Sequence, residues 1–310
     1  MIRARAAIVL LTLFLVIVPV KAQDSGMAFL RLGTNAAAMG LGDAHVAHSR
    51  DAFSTYWNPA GLAAAESNSA ALSHHVWIAD VRTYALAARL RAGEKGAIGI
   101  FATGTGAGDL EARERPGDPD GFFSVQYIST GLSYGRTIGP LRAGVTVKYL
   151  AERIYTDDAN GYAFDLGLQM DLARRAIQLG VALQNIGEMS GLEIDETPLP
   201  RTLRAGLAVF PLRVMAEGDA TPLLNTFVTA EVSHVFEDEI DQATRFHLGI
   251  AAEVLELVVL RVGYITNDDV RRFTTGGGLE YGSFVVDYAF LPFRGGFGGP
   301  GHVLTLQYKW

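Results

Sequence analysis

The chain ends in His302-Val303-Leu304-Thr305-Leu306-Gln307-Tyr308-Lys309-Trp310. In an extended strand successive side chains point to opposite faces, so Leu304, Leu306, Tyr308 and Trp310 share one face and Val303, Thr305, Gln307 and Lys309 the other. An apolar face that finishes on an aromatic residue at the last position is the pattern of a strand that closes an outer-membrane β-barrel. It also makes the barrel-assembly machinery an expected partner.

The other end of the sequence agrees. Arg3 and Arg5 form a positive region, Ala6 to Val18 an apolar run, and Val20-Lys21-Ala22 a small-residue cleavage site, which predicts a signal peptide over 1–22 and a mature start at Gln23. The apolar run falls short of the ~20 residues that a spanning helix needs. Nothing after Lys21 offers a second such segment. Membrane residence must then come from strands, since only helices and closed barrels satisfy every backbone group in lipid.

Period-two alternation runs from about Ser67 onward. Tyr162, Phe164, Leu166, Leu168 and Met170 alternate with Ala163, Asp165, Gly167, Gln169 and Asp171; Ile177, Leu179, Val181 and Leu183 alternate with Gln178, Gly180, Ala182 and Gln184. The second set carries charges, amides and glycines, which a water-filled or plugged lumen tolerates. Leu166→Arg and Leu179→Arg are expected to place a charge in lipid, and Gln169→Arg and Gln178→Arg to be the cheaper changes. Turn-bounded runs place about fourteen strands, near 67–78, 80–91, 96–106, 123–137, 141–154, 161–172, 175–187, 200–211, 223–236, 243–254, 256–266, 271–281, 283–291 and 302–310. The fold class is therefore all-β, a transmembrane antiparallel barrel over 67–310 with both ends on the periplasmic side. Long external connections are expected at 105–122, 188–199 and 292–301, and short periplasmic turns at 92–95, 139–140, 173–174 and 281–282. Arg213 to Pro222 is long for a periplasmic turn. Trp77, Phe122, Phe123, Tyr155, Tyr162 and Phe293 stand near strand ends as candidates for interfacial girdles.

Composition fits this class. Glycine is 35 of 310 residues and charged residues are 19%, the first high and the second low for a soluble domain. There is no cysteine, so no disulfide or thiol chemistry is open to an exported chain. The formal charge is −7, and loss of Arg3, Arg5 and Lys21 with the leader makes it more negative by three. This excludes nucleic acid as a partner, which requires a basic surface.

The segment 23–66 is different. It lacks alternation, is rich in Gly and Ala, and holds Asn58-Pro59-Ala60-Gly61-Leu62, where Asn58 is a good N-cap and Pro59 suits the first helical position. A short helix through about Ala65 is expected. Phe29, Leu30, Leu32, Met39, Val46, Phe53, Tyr56 and Trp57 are too many apolar residues for a solvated tail, so the segment reads as a hatch packed into the barrel.

Three stretches of this hatch, Ala28-Phe29-Leu30-Arg31-Leu32-Gly33, Met39-Gly40-Leu41-Gly42-Asp43-Ala44-His45-Val46-Ala47 and Asp51-Ala52-Phe53-Ser54-Thr55-Tyr56-Trp57-Asn58-Pro59-Ala60-Gly61-Leu62, resemble the PorV/PorQ family of outer-membrane barrels associated with type IX secretion. Gly40, Gly42, Ala44, Asp51, Asn58, Pro59 and Ala60 carry the motif. A looser subset is similar to the hatch of FadL-type long-chain fatty acid transporters. Members of the first family often carry an arginine just before the Met-Gly pair, where this chain has Asn35-Ala36-Ala37-Ala38. The resemblance covers about forty residues. It implies a fourteen-stranded barrel with an N-terminal hatch, residence among outer-membrane lipid, and a role accessory to type IX secretion or surface attachment through secretion-system or cargo proteins. The alternative it leaves open is a FadL-like channel for small hydrophobic molecules. Phe293 and Phe297, in the last external loop, offer an apolar patch for a protein partner.

No catalytic, cofactor or metal site is expected. His74-His75 and His45 with His48 are the histidine clusters, and neighbours on a strand face opposite sides while zinc needs three or four converging ligands. Gly104-Thr105-Gly106-Ala107-Gly108 lacks the strand-to-helix context and lysine of a phosphate loop, and reads as a strand end running into a flexible loop. Asp109, Glu111, Glu114, Asp118 and Asp120 lack an EF-hand spacing and read as a solvated acidic loop. There is no Gly-x-Ser-x-Gly elbow, and Ser233-His234 point apart on a strand. An enzyme is not expected.

Overall fold

The computed structural model describes residues 27–78, 81–112, 119–191, 198–215, 224–236, 244–268, 270–294 and 299–310. The leader over 1–22 and its cleavage site lie outside these residues. The described chain forms one closed antiparallel barrel of fourteen strands. They are β1 (Ser69–Val76), β2 (Arg82–Ala92), β3 (Gly96–Ala112), β4 (Gly121–Ile138), β5 (Leu141–Ile154), β6 (Asp157–Leu172), β7 (Ile177–Met189), β8 (Thr202–Val209), β9 (Leu224–Val235), β10 (Thr244–Val254), β11 (Val258–Ile265), β12 (Phe273–Tyr281), β13 (Phe284–Leu291) and β14 (Gly301–Lys309). Each strand pairs with its sequence neighbours, and β1 closes the ring on β14 from Ser69↔Lys309 to Val76↔His302. Closure removes both sheet edges, which is what lets a sheet sit in lipid. No described helix is long and apolar enough to cross a membrane.

The alternation becomes two walls. On β6, Leu166 and Leu168 are 51% and 45% exposed on the outer wall, while Asp165 and Gln169 are buried inside. Leu304, Leu306, Tyr308 and Trp310 all lie on the outer wall, and Val303 and Thr305 face in. Phe122, Tyr155 and Tyr162 are exposed near one rim, and Tyr281, Phe284, Tyr308 and Trp310 near the other. Trp77 and Phe293 do not join a girdle: their rings stack with centroids 6.0 Å apart and pack against an inward cluster of Ala36, Met39, Ala289, Leu291 and Val303.

The rim that carries the tight turns at Gly93, Gly139 and Gly282 also carries residues 68 and 310, which exchange backbone hydrogen bonds. Short turns mark it as the periplasmic rim. Several external connections depart from the sequence reading. The arms β3 and β4 extend to Ala112 and from Gly121, so most of the loop expected over 105–122 is strand, including Gly104 to Gly108. A bulge between Ala107 and Leu110 rephases the pairing there. The β5–β6 turn is only Tyr155-Thr156, with Tyr155 at φ 57°, and β6 begins at Asp157. On the periplasmic side, the long β8–β9 connection begins with a short helix, Pro211–Met215.

Residues 27–66 lie inside the ring and are almost entirely buried. They comprise a 3-10 turn at Ala28–Arg31, helical turns at Ala36–Met39 and Ser54–Trp57, and a 3-10 turn at Pro59–Ala63. The last is the expected Asn58-capped helix in tighter form, ending two residues early. Asn58 accepts from the Ala60 N–H at 3.2 Å, and Pro59 occupies the first position.

Candidate functional site: the hatch and its seat

The hatch spans the lumen lengthwise. Met27, Phe29 and Leu30 pack with Leu150, Ala159, Ala163, Met189 and Leu199, all at or near the external ends of β5 to β8. At the other end, Arg89 near the periplasmic end of β2 donates to the carbonyls of Leu62, Ala65 and Ser67 at 3.0, 2.9 and 2.6 Å.

One side of the seat is made of backbone. Gly135, Gly144 and Gly167 are cross-strand partners in a row over β4, β5 and β6. The turn Asn58-Pro59-Ala60 lies directly on them. A Cβ at Gly135 would stand 2.6 Å from the Pro59 carbonyl oxygen, and one at Gly144 or Gly167 would collide with Pro59 or Asn58. The bare wall lets Asn58 reach the sheet: its Nδ2 donates to the carbonyls of Val46, Leu168 and Val181 at 2.9, 3.1 and 3.3 Å. The glycines were visible on the inner face in the sequence, but nothing there paired them with the hatch.

The other side is charged. Glu231 on β9 accepts from the N–H groups of His45 and Val46 at 2.9 and 2.8 Å and pairs with Arg204 of β8 at 2.5 Å. Arg204 also lies 5.0 Å from the Trp57 ring centre. Asp43 pairs with Arg271, and His247 bonds the Gly42 carbonyl oxygen at 2.7 Å. Gln169 donates to the carbonyls of Val46 and Ser49, and Gln184 to that of Tyr56. Arg50 of the hatch shares Asp171 with Arg142 at 2.6 and 2.7 Å. Burial of such charges is costly, and each is met here by a counter-ion or several donors.

The motif residues fall on this seat in different ways. Gly40 faces Gly276 of β12, where a Cβ would stand 3.2 Å from the opposing Cα. Gly42 has φ +66°, a left-handed backbone that favours glycine, and nestles against β11. Ala44 is fully buried and its carbonyl accepts from Thr229. Asp51 starts the turn into Ser54–Trp57; burial first, then the nearby Asp287 charge, raises its pKa to about 6. His45 and His48 go the other way: burial and neighbouring charge lower them to about 3 and about 4, and both are neutral at pH 7. Both ring nitrogens of His45 lack a hydrogen-bond partner.

The candidate groups of the sequence fall as follows among the described residues. No group of three metal-ligating side chains gathers among the described residues. Ser233 and His234 do not pair; Ser233 meets His247 instead at 2.8 Å, buried beneath the hatch. Asp109 and Glu111 lie on β3, while Glu114 and Asp118 fall outside the described residues. Phe293 is stacked on Trp77, and Phe297 lies outside the described residues. The arrangement is a plug held inside the ring by many moderate contacts.

No family model matches the chain. No curated protein matches it either. Solved structures do. A monoaromatic hydrocarbon channel, CymD, aligns over 92% of this chain and 98% of its own with a TM-score of 0.60 and 13% identity. The toluene transporter TodX of P. putida aligns over 90% and 99% with a TM-score of 0.62 and 11% identity. A FadL homologue of Pseudomonas aeruginosa aligns over 89% and 98% with a TM-score of 0.53 and 11% identity. The fold is that of FadL-like outer-membrane barrels; these relationships point to that group of folds and not to PorV/PorQ in particular.

Proposed function

We propose that this chain is an outer-membrane passage for small hydrophobic molecules, closed by its hatch. The observation that carries the reading is the apolar external mouth and what fills it. There Phe29 stacks on Tyr127 with ring centroids 5.1 Å apart, within the cluster of Leu30, Leu150, Met189 and Leu199. A site that already holds a benzyl ring among aliphatic side chains is shaped for small apolar solutes. Similarity in fold to toluene and monoaromatic hydrocarbon channels supports the same reading.

The reading as an accessory of type IX secretion rests on the hatch motif, which FadL-like barrels share in looser form. The loop patch expected to serve it is represented by Phe293 alone, and that ring is turned onto Trp77. The channel reading therefore takes precedence.

Uptake of toluene and of a long-chain fatty acid by cells with and without the chain tests it. Protein-dependent uptake of either solute that changes with Asn58→Ala, at unchanged barrel abundance, is the expected result. Uptake independent of the chain, with loss of surface-retained proteins on its deletion, would overturn it in favour of secretion.

A further inference from the structure

At the external mouth one carboxylate stands among apolar groups with an oxygen to spare. Glu152 of β5 is the cross-strand partner of Tyr127 on β4 and of Ala159 on β6, so the three side chains share the inner wall. Tyr127 and Ala159 both belong to the apolar cluster around Phe29. Glu152 is only 5% exposed. The Tyr127 hydroxyl donates to its carboxylate. The other oxygen, Oε2, is buried and has no hydrogen-bond partner among the described residues. No cation there pairs with Glu152 either. Lys148, the basic residue on the same face of β5, is four residues away, roughly 13 Å of strand, and is held by Asp165 and Asn185 at 2.7 Å each. Arg153 is exposed and paired with Asp158 at 2.6 Å.

Phe29 of the hatch lies face to face with Tyr127, ring centroids 5.1 Å apart and planes inclined by 25°. A phenyl ring has no donor. Phe29 thus occupies the place of a stacked ring and leaves Oε2 unmet. A ring of the same size that carries a hydroxyl or amino group, stacked in that place, sets its donor alongside the Tyr127 hydroxyl and toward the second oxygen of the same carboxylate.

We infer that Glu152 makes this mouth selective for apolar aromatic molecules that carry a hydrogen-bond donor, and that such a molecule displaces Phe29 by meeting Oε2. An ionised carboxylate accepts and cannot donate. It draws hydroxyl and amino groups, offers a bare hydrocarbon no more than Phe29 already has, and repels the carboxylate of a fatty acid. A buried acceptor left unmet is costly, and the incoming donor removes that cost. Packing alone would be served better by leucine, which fills the space and leaves no oxygen unmet. This selectivity rests on the channel reading proposed above and goes further, by naming the solutes that open the mouth most readily.

The test is uptake of naphthalene, 2-naphthol and 2-naphthoate at pH 7, followed by their fluorescence, in cells with and without the chain. The three probes share one ring system and differ in the group offered to Glu152. Chain-dependent uptake of 2-naphthol is expected to exceed that of naphthalene by about tenfold, the ratio one hydrogen bond to a charged group supplies, and that of 2-naphthoate by more. Glu152→Leu is expected to level 2-naphthol with naphthalene. Glu152→Gln keeps an acceptor and drops the charge, so it is expected to keep part of the 2-naphthol preference and to admit 2-naphthoate. Phe29→Tyr puts a hydroxyl on the hatch itself; it is expected to lower 2-naphthol uptake several-fold, and only while Glu152 is present. Equal uptake of 2-naphthol and naphthalene by the unaltered protein would overturn the inference and leave the channel standing. So would a preference unchanged by Glu152→Leu at equal barrel abundance in unheated gels, or a Phe29→Tyr effect that persists without Glu152. Uptake of all three probes that does not depend on the chain would overturn both.

Discussion

The hatch is held by two seats of opposite chemistry. Over β4 to β6, the Asn58-Pro59-Ala60 turn touches bare backbone at Gly135, Gly144 and Gly167, and the fit is steric. Over β8 to β12, residues 43–46 meet Arg204, Glu231, His247 and Arg271, and the fit is electrostatic. A steric seat fails by the addition of one carbon; an electrostatic seat fails by the removal of one charge. The first tolerates changes of pH and salt, and the second responds to both. In the proposed channel, where the plug must stay shut and yet be released, having one of each serves both needs.

The sharpest way to break this contrast is Arg204→Ala, which strands the buried Glu231. The expected loss is about 3–5 kcal/mol, read as hatch proteolysis and bilayer conductance with the barrel still folded. Replacing both partners by apolar residues of similar size is expected to recover much of that loss. A single change that costs under about 1 kcal/mol would mean the pair is solvated.

Gly144→Leu probes the steric seat. Its new side chain meets the Pro59 backbone, and an overpacking cost of about 3 kcal/mol is expected. Hydrogen exchange of hatch amides should rise in 54–63 before it rises in 43–46; a uniform rise would show that the two seats act as one. Asn58→Ala is milder, at about 2 kcal/mol, since it removes the donor to three carbonyls while leaving the glycine row open.

Acidity should act mainly on the charged seat. His45 and His48 have depressed pKa values of about 3 and about 4, so the stability tied to their neutral forms is complete above pH 6.5 and is lost as pH falls below it. Asp51, raised to about 6, works in the opposite direction, because the folded hatch takes up its proton first as pH falls from about 6 toward 4. From pH 7 to pH 6 these three groups together lose about 1 kcal/mol, against a ceiling of ~1.4 kcal/mol per proton per pH unit. Hydrogen exchange at the two pH values checks it, and His45→Phe should flatten the difference.

Much of the barrel could be read in the sequence because strand periodicity is local. All fourteen strands were placed, and Leu166, Leu179, Gln169 and Gln178 lie on the faces the alternation assigned to them. The strand ends were less legible: β3 and β4 continue past their glycines because a bulge restores the pairing. The largest miss concerns the lumen. Gln169→Arg was expected to be cheap, as if the inside were watery. Gln169 is instead buried and bonded to the carbonyls of Val46 and Ser49, so that arginine should cost at least as much as Leu166→Arg, about 2–4 kcal/mol in lipid. Thermal shifts of the two variants compare them directly. The seat itself was invisible because its pairs are non-local: Gly144 and Pro59 are separated by four strands, and Arg271 and Asp43 by most of the chain.

Arg89 pins the last residues of the hatch at the periplasmic rim, a few residues before β1, while Met27 to Arg31 sit at the opposite mouth. The plug is therefore tied covalently to the wall through β1, at its periplasmic end. It can fold back on its tether toward the periplasm, but it cannot be lost outward without pulling β1 from between β2 and β14.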